Sequence, residues 1–133
     1  MVAFLLSSCR VYNAYYIYQK VSYYSDKENY VNAVGTVTHI AYNEDTNVLY
    51  LEFSDLEPRF ADNYFKIVGI NVDLVYIRGI DEKIEIGDTI NFIAAPRYFG
   101  DGYIMPIVGL TVDGEELLGF DEGYENLLDW LKE

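Results

Sequence analysis

The sequence predicts a mainly β fold, in which five to six short strands form a small barrel with a helix near each end of the chain. Apolar and polar residues alternate with a period of two across residues 31–112, and turn-forming residues separate the alternating runs. Apolar residues recur at helical spacing in residues 11–24 and again in residues 120–131. The length of 133 residues fits one domain.

The first element is predicted to be a helix over residues 11–24. Its apolar positions repeat every three to four residues, although its many tyrosines and β-branched residues would also suit a strand. Ser25 and Glu28 have the spacing of a capping box, in which the serine accepts a backbone hydrogen bond and the glutamate reaches back. A short helical turn is therefore expected before the first strand.

The first strand is predicted over residues 31–42. Gly35 lies where the alternation slips from one face to the other, which predicts a bulge or a sharp coil at this glycine. The polar residues 43–47 are typical of a hairpin loop.

The second and third strands are predicted over residues 48–53 and 64–69, and residues 70–77 are consistent with a continuation of the third strand. Residues 81–86 are expected to form a helical turn or a short connector. The residues predicted to point inward from these two strands are Leu49, Leu51, Phe53, Phe65 and Ile67.

The fourth and fifth strands are predicted over residues 89–95 and 103–112, with Pro106 at an edge position or a bulge. Residues 120–131 form the predicted amphipathic C-terminal helix. The expected inward residues of the two strands are Ile90, Phe92, Ala94, Ile104, Val108, Leu110 and Val112. At least three of four helix residues are expected to be buried against the barrel: Leu127, Leu128, Trp130 and Leu131.

The strand pattern over residues 31–112 resembles an OB-fold. In that family the coiled first strand often carries a glycine, which Gly35 would supply, and Gly87 and Asp88 resemble the entry to its fourth strand. SH3-like barrels fit the same strand count. The helix that usually joins strands three and four is predicted here as no more than a turn at residues 81–83. The resemblance implies a mainly β, five-to-six-stranded OB-like barrel with an N-terminal helix and a C-terminal amphipathic helix.

The loop between strands four and five, residues 95–106, is the candidate binding site. Its Asp-Gly pair predicts a hairpin tip at Gly102, and in OB-folds this loop often borders the ligand mouth. Aromatic rings can stack on a sugar or a base, and an arginine can hold a carboxylate or phosphate. The alternative is that the rings plug the barrel end and the arginine pairs with a nearby acid. The candidate residues are Arg97, Tyr98, Phe99 and Tyr103.

Cys9 is the candidate lipidation site. The apolar run that ends in Leu6-Ser7-Ser8-Cys9 resembles the lipobox of bacterial lipoproteins, in which the cysteine is acylated after the signal is cleaved. The run is shorter than a signal-peptide core and no basic segment precedes it, so this interpretation expects a start codon placed too late or a gene fragment. The alternative is a free buried cysteine in a short apolar segment.

The predicted organisation has three parts. Residues 1–9 form the signal-like lipobox segment, residues 10–30 form a helical stalk or a packing helix, and residues 31–133 form the barrel domain with its C-terminal helix. With this anchor, the protein is expected to be extracytoplasmic and held at the membrane of a bacterial cell envelope.

The charge of the chain argues against nucleic acid as a partner. The formal net charge is −13 at pH 7, although residues 1–25 contain two basic residues and no acid. A body this negative repels phosphate backbones. A solvated surface accounts for such a charge, and a cationic or metal-bridged partner is the alternative.

The sequence carries no recognisable catalytic, cofactor or metal motif. His39 is the single histidine, and a lone strand histidine is expected to be structural. Residues 43–47 begin like a calcium loop, but Val48 and Ser54 stand where that loop needs glycine and glutamate. No catalytic residue, metal or cofactor is therefore predicted.

The sequence thus predicts a non-enzymatic binding module of the cell envelope that recognises a protein or a saccharide through aromatic residues. The first alternative is an OB-type oligonucleotide binder, and the second is a hydrolase that uses surface carboxylates. The sequence gives no signal for the oligomeric state.

Overall fold

The computed structural model describes residues 15–97 and 104–132. Cys9 and the loop residues Tyr98, Phe99 and Tyr103 lie outside the described residues. The strands in chain order are β1 (Val31–Asn43), β2 (Val48–Ser54), β3 (Tyr64–Ile67), β4 (Thr89–Ala94), β5 (Met105–Val112) and β6 (Glu115–Leu118). The helices are α1, described over residues 15–25, α2 (Asn71–Arg78) and α3 (Phe120–Lys132), with 3₁₀ turns at Lys27–Asn29 and Ile80–Lys83.

Five strands close into a barrel, and the sixth pairs with β5 on its outside. The strand order is β3-β2-β1-β4-β5-β6, and a parallel pairing of β3 with β5 closes the ring. This seam joins Phe65 to Met105 and Lys66 to Pro106. The predicted mainly β barrel with an N-terminal and a C-terminal helix is thereby confirmed, and its topology is compatible with an OB-like fold.

The barrel interior is an aromatic core surrounded by aliphatic side chains. The rings of Phe53 and Phe92 stack with their centroids 4.5 Å apart, and Phe65 meets both edge-on. Every inward residue predicted for strands two to four is buried, as the period-two alternation requires: Leu49, Leu51, Phe53, Phe65, Ile67, Ile90, Phe92 and Ala94.

The irregularity of β1 lies after Gly35 and not at it, so the predicted position is wrong. The register shifts between Val37 and His39, which places the extra residue at Thr38. Gly35 keeps its regular pairing. The reason for a glycine at this position is steric. A Cβ at this position would lie 3.0 Å from the Cβ of Phe53, so the glycine allows the coiled strand to approach β2 closely.

The connection from β3 to β4 contains a complete helix, so the predicted continuation of strand three over residues 70–77 is wrong. The turn predicted at residues 81–83 is observed as the 3₁₀ turn Ile80–Lys83, but the expectation that the connection holds no more than this turn is wrong. Gly69 turns the chain with a φ of 66°, and Gly79 ends α2 in the left-handed region at 60°. The buried Asn71 donates through Nδ2 to the carbonyl of Gly123 in α3, at 3.0 Å. This long-range contact leaves no local trace in the sequence.

Strand β5 is buried on both faces, which corrects the prediction that Val108 shares a face with Leu110. Ile93 of β4 pairs with Gly109 while the next residue pairs with Ile107, so Val108 is the extra residue of a bulge. Its side chain belongs to a second apolar cluster outside the barrel, whereas Ile107 and Leu110 stay in the barrel core.

The second cluster fastens α1 and α3 to the barrel. It contains the buried Tyr24 of α1, Ala95, Val108 and the α3 residues Leu127 and Leu128. The N-terminal helix near the predicted position is thus observed, and it packs on the domain.

The predicted capping box is wrong. Ser25 still belongs to α1, and its hydroxyl donates to the carbonyl of Ser22. The following 3₁₀ turn is capped instead by Asp26, whose Oδ1 accepts from the backbone N–H of Glu28 at 3.0 Å.

Helix α3 buries two of the four apolar residues predicted to dock, so the expected minimum of three is not reached. Leu127 and Leu128 are buried, Leu131 is half-buried, and Trp130 is 39% exposed. Trp130 lies over Gly69 at the surface, and a Cβ at Gly69 would be 2.5 Å from its Cγ. The indole therefore covers a backbone turn with one side and faces solvent with the other.

Candidate functional site

The outer surface of β1, β2 and β3 carries an aromatic and charged patch, which we call the sheet face. Register places His39 opposite Glu52, Glu52 opposite Tyr64, and Tyr50 opposite Lys66. Because side chains alternate along a strand, these residues point away from the core that their neighbours fill. The sheet face consists of His39, Tyr50, Glu52, Tyr64 and Lys66.

Two tyrosines on the sheet face present their rings to solvent. Tyr50 is 36% exposed and Tyr64 is 45% exposed. Tyr64 lies opposite Glu52 and Tyr50 lies opposite Lys66, so the two rings are diagonal neighbours across β2 and β3. Diagonal positions of this kind are about 7–8 Å apart, within reach of one extended ligand.

Lys66 lies next to both tyrosines, opposite Tyr50 and two residues after Tyr64 on β3, in a setting that disfavours its charge. Partial burial lowers its pKa, and the nearby positive charge of Lys20 on α1 lowers it further. Lys20 itself lies over the ring of Tyr16, 4.5 Å from the centroid. Among the described side chains, no carboxylate forms an ion pair with either lysine. Two like charges are thus held near each other without an ion-pair partner among the described residues.

Arg97 is the one predicted site residue that the structure describes. It follows β4, its side chain is exposed, and its backbone hydrogen-bonds the side chain of Tyr23 on α1. Burial raises the pKa of Tyr23, and the hydrogen bond and charge of Arg97 partly oppose this. Helix α1 therefore lies near both cations: its Tyr23 contacts Arg97, and its Lys20 lies near Lys66.

The three cations near α1 differ from the other described arginines and from Lys83. Arg59, Arg78 and Lys83 each pair with a glutamate. Lys20, Lys66 and Arg97 form no ion pair with the described residues. In a chain with a net charge of −13, Lys20 and Lys66 thus lie near each other beside exposed aromatic rings.

The remaining predicted sites lie outside what the structure describes. Tyr98, Phe99 and Tyr103 follow Arg97 in the chain, and Cys9 lies before the first described residue. Sequence reasoning missed Tyr50, Tyr64 and Lys66. The available signal was the alternation itself, because it assigns these positions to the outer faces of strands two and three.

The described residues contain no group of three or more His, Cys, Asp or Glu side chains that could hold a metal ion. His39 is exposed on β1. In the same part of the chain, no helix combines the length and apolar character that crossing a bilayer requires.

Comparisons with known protein families, with curated proteins and with solved structures found no match for this chain.

Proposed function

We propose that this protein is a non-enzymatic binding module that recognises an anionic saccharide on the sheet face. The observation that carries the proposal is the placement of two exposed tyrosines, Tyr50 and Tyr64, around a lysine that lacks a described counter-ion. In OB-like barrels the face of strands two and three is the surface that binds oligosaccharides and oligonucleotides.

The two kinds of residue supply complementary interactions. Tyrosine rings offer rigid contact area at a small entropy cost and can lie against the apolar face of a sugar ring. A carboxylate or phosphate on the sugar would stabilise the charged form of Lys66, since the anion offsets both its burial and the repulsion from Lys20. Arg97 adds a two-pronged donor that suits the same groups.

An anionic saccharide is also compatible with the proposed location of the protein. The lipobox-like sequence around Cys9 supports acylation and attachment to the membrane of a bacterial cell envelope. A protein held at this membrane would have its sheet face near glycans that carry carboxylate or phosphate groups.

An oligonucleotide is the second candidate ligand. Aromatic rings with nearby cations also bind single strands, by stacking and by phosphate contact. The net charge of −13 opposes this candidate, because long-range repulsion acts on every phosphate of the strand.

The test compares three probes by isothermal titration calorimetry: oligogalacturonate, its methyl ester, and a ten-residue oligothymidylate. We expect binding of the acidic saccharide, weaker binding of the neutral ester, and about tenfold loss of affinity in Tyr64→Ala and in Lys66→Gln. Tyr76→Ala is the matched control, because Tyr76 is an exposed tyrosine on α2 and not on the sheet face.

Three results would contradict the proposal. One is that oligogalacturonate does not bind. Another is an equal loss of affinity in Tyr64→Ala and in the Tyr76→Ala control. The third is tighter binding of oligothymidylate than of the acidic saccharide, which would favour the oligonucleotide candidate.

A further inference from the structure

A cleft of about 560 Å³ opens between the β1–β2 hairpin and the end of α2. We call it the hairpin cleft. It shares no residue with the sheet face. The residues used below are Tyr42 and Glu44 from the hairpin, Tyr76 and Ile77 from α2, and Asp81 and Glu82 from the following 3₁₀ turn.

The apolar wall of the hairpin cleft is unusually open to solvent. Tyr76 is 70% exposed and Ile77 is 72% exposed, although both lie in a helix whose other face packs on the barrel. Tyr42 forms the opposite wall, held in place by a 2.6 Å hydrogen bond from its hydroxyl to Oδ1 of Asn47. Large adjacent apolar side chains exposed beside a concavity are typical of interaction sites.

The charged groups that line the hairpin cleft are predominantly negative. Glu44, Asp81 and Glu82 form no ion pair with any residue that the structure describes. The cation Arg78 is already engaged, because its guanidinium binds both carboxylate oxygens of Glu122, at 2.8 and 3.0 Å. The cleft thus keeps three carboxylates and has no free described cation among its lining residues.

Two further features are consistent with this negative field. The pKa of the Tyr42 hydroxyl is raised, first by desolvation and then by the charges of Asp81 and Glu44. Helix α2 ends at this cleft, and the C-terminal end of a helix carries partial negative charge from its free carbonyls.

We propose that the hairpin cleft binds a basic segment of a partner protein, with a lysine or arginine near the carboxylates and an apolar neighbour against Tyr76 and Ile77. The three carboxylates favour a cationic ligand. The exposed side chains of Tyr76 and Ile77 favour an amphipathic chain over a free ion. Cation–π contact with Tyr42 or Tyr76 adds to the attraction of the carboxylates.

The test uses two synthetic hexapeptides, one of alternating lysine and leucine and the other of alternating glutamate and leucine. We expect the full-length protein to bind only the basic peptide, with backbone amide shifts in NMR spectra concentrated at Tyr76, Ile77 and Gly79. The triple variant E44Q/D81N/E82Q should lose about tenfold in affinity, since three attractive charges are removed.

The matched control is E28Q/D55N/D129N. These three acids are exposed, line no part of the cleft, and form no ion pair among the described residues, yet their replacement changes the net charge equally. The control should lose less than about threefold, because screening weakens distant charges. Tyr76→Ala should weaken binding at high salt, where the apolar contact dominates.

The proposal is overturned if the two triple variants lose affinity equally, which would indicate diffuse attraction to an acidic surface. Failure of the basic peptide to bind, or amide shifts centred elsewhere, would overturn it as well. Circular dichroism of each variant verifies that the fold is intact, and Tyr76→Ala provides a second variant at an exposed position.

Discussion

Gly69 shows how a single residue links backbone conformation to side-chain packing. Its φ of 66° lies in the region that glycine adopts without strain, and the indole of Trp130 occupies the space where a Cβ would project. The sequence analysis ended the third predicted strand at this glycine. It could not indicate the contact with Trp130, because the tryptophan lies 61 residues further along the chain.

We predict that Gly69→Ala lowers the free energy of unfolding by more than about 2 kcal/mol, since it combines backbone strain with a steric clash. Gly114→Ala is the control. Gly114 has a φ of 81°, but nothing lies within 4 Å of the position that a Cβ would occupy, so only the backbone cost of about 1 kcal/mol is expected. Urea denaturation measures both.

A second variant tests the cause of the difference. In a Trp130→Ala background, the additional cost of Gly69→Ala should fall toward that of Gly114→Ala without reaching it, because the contacts with Cγ and Cδ2 are removed while the Cβ of residue 130 remains 2.8 Å away. An unchanged cost in this background would show that Trp130 does not restrict this position.

At the scale of elements, the strands could be predicted and α2 could not. Period-two alternation assigns Leu49, Phe65 and Phe92 inward because each strand has one side toward the core. In α2 the β-branched and aromatic residues favour a strand locally. In the folded protein the amide of Asn71, at the start of α2, links this helix to α3 across a separation of 52 residues.

We predict that Asn71→Ala lowers the free energy of unfolding by about 2–3 kcal/mol, because it leaves polar partners in α3 without their hydrogen bonds. Asn71 donates to the carbonyl of Gly123 and accepts from Nδ2 of Asn126, each at 3.0 Å. Asn91→Ala, at an exposed strand position, should cost less than about 0.5 kcal/mol. Thermal denaturation followed by circular dichroism compares the two, and equal costs would contradict the role of Asn71.

The candidate site also contains residues that could be predicted from the sequence and residues that could not. Arg97 was predicted because a loop with aromatic residues and an arginine is visible as a motif. The pair of Lys20 and Lys66 was not predicted, since these lysines come close only when α1 lies beside the barrel. Acids of the hairpin cleft likewise come from two segments that the chain brings together through the β1–β2 hairpin and α2.

For the whole molecule, attachment at Cys9 remains a prediction. We expect the full-length protein expressed in a bacterial host to enter the detergent phase of a Triton X-114 extraction, because two acyl chains give stable membrane attachment. The Cys9→Ala variant should remain in the aqueous phase. Mass spectrometry of the mature N-terminus provides the control, and identical partitioning of the two proteins would contradict the lipoprotein hypothesis.

The seam between β3 and β5 is one of two strand pairings in the barrel that join distant parts of the chain, the other being that of β1 with β4. The two register pairs of the seam join residues about 40 positions apart, and Pro106 offers no N–H to the pairing, while β1–β2 and β4–β5 are antiparallel pairs of neighbouring strands. Long-range pairing must overcome a larger loss of chain entropy than hairpin formation does. The two hairpins can therefore form first, and the long-range pairings follow. These are the seam and the pairing of β1 with β4, whose partners are 53 to 63 residues apart, and their completion seals the phenylalanine core from water.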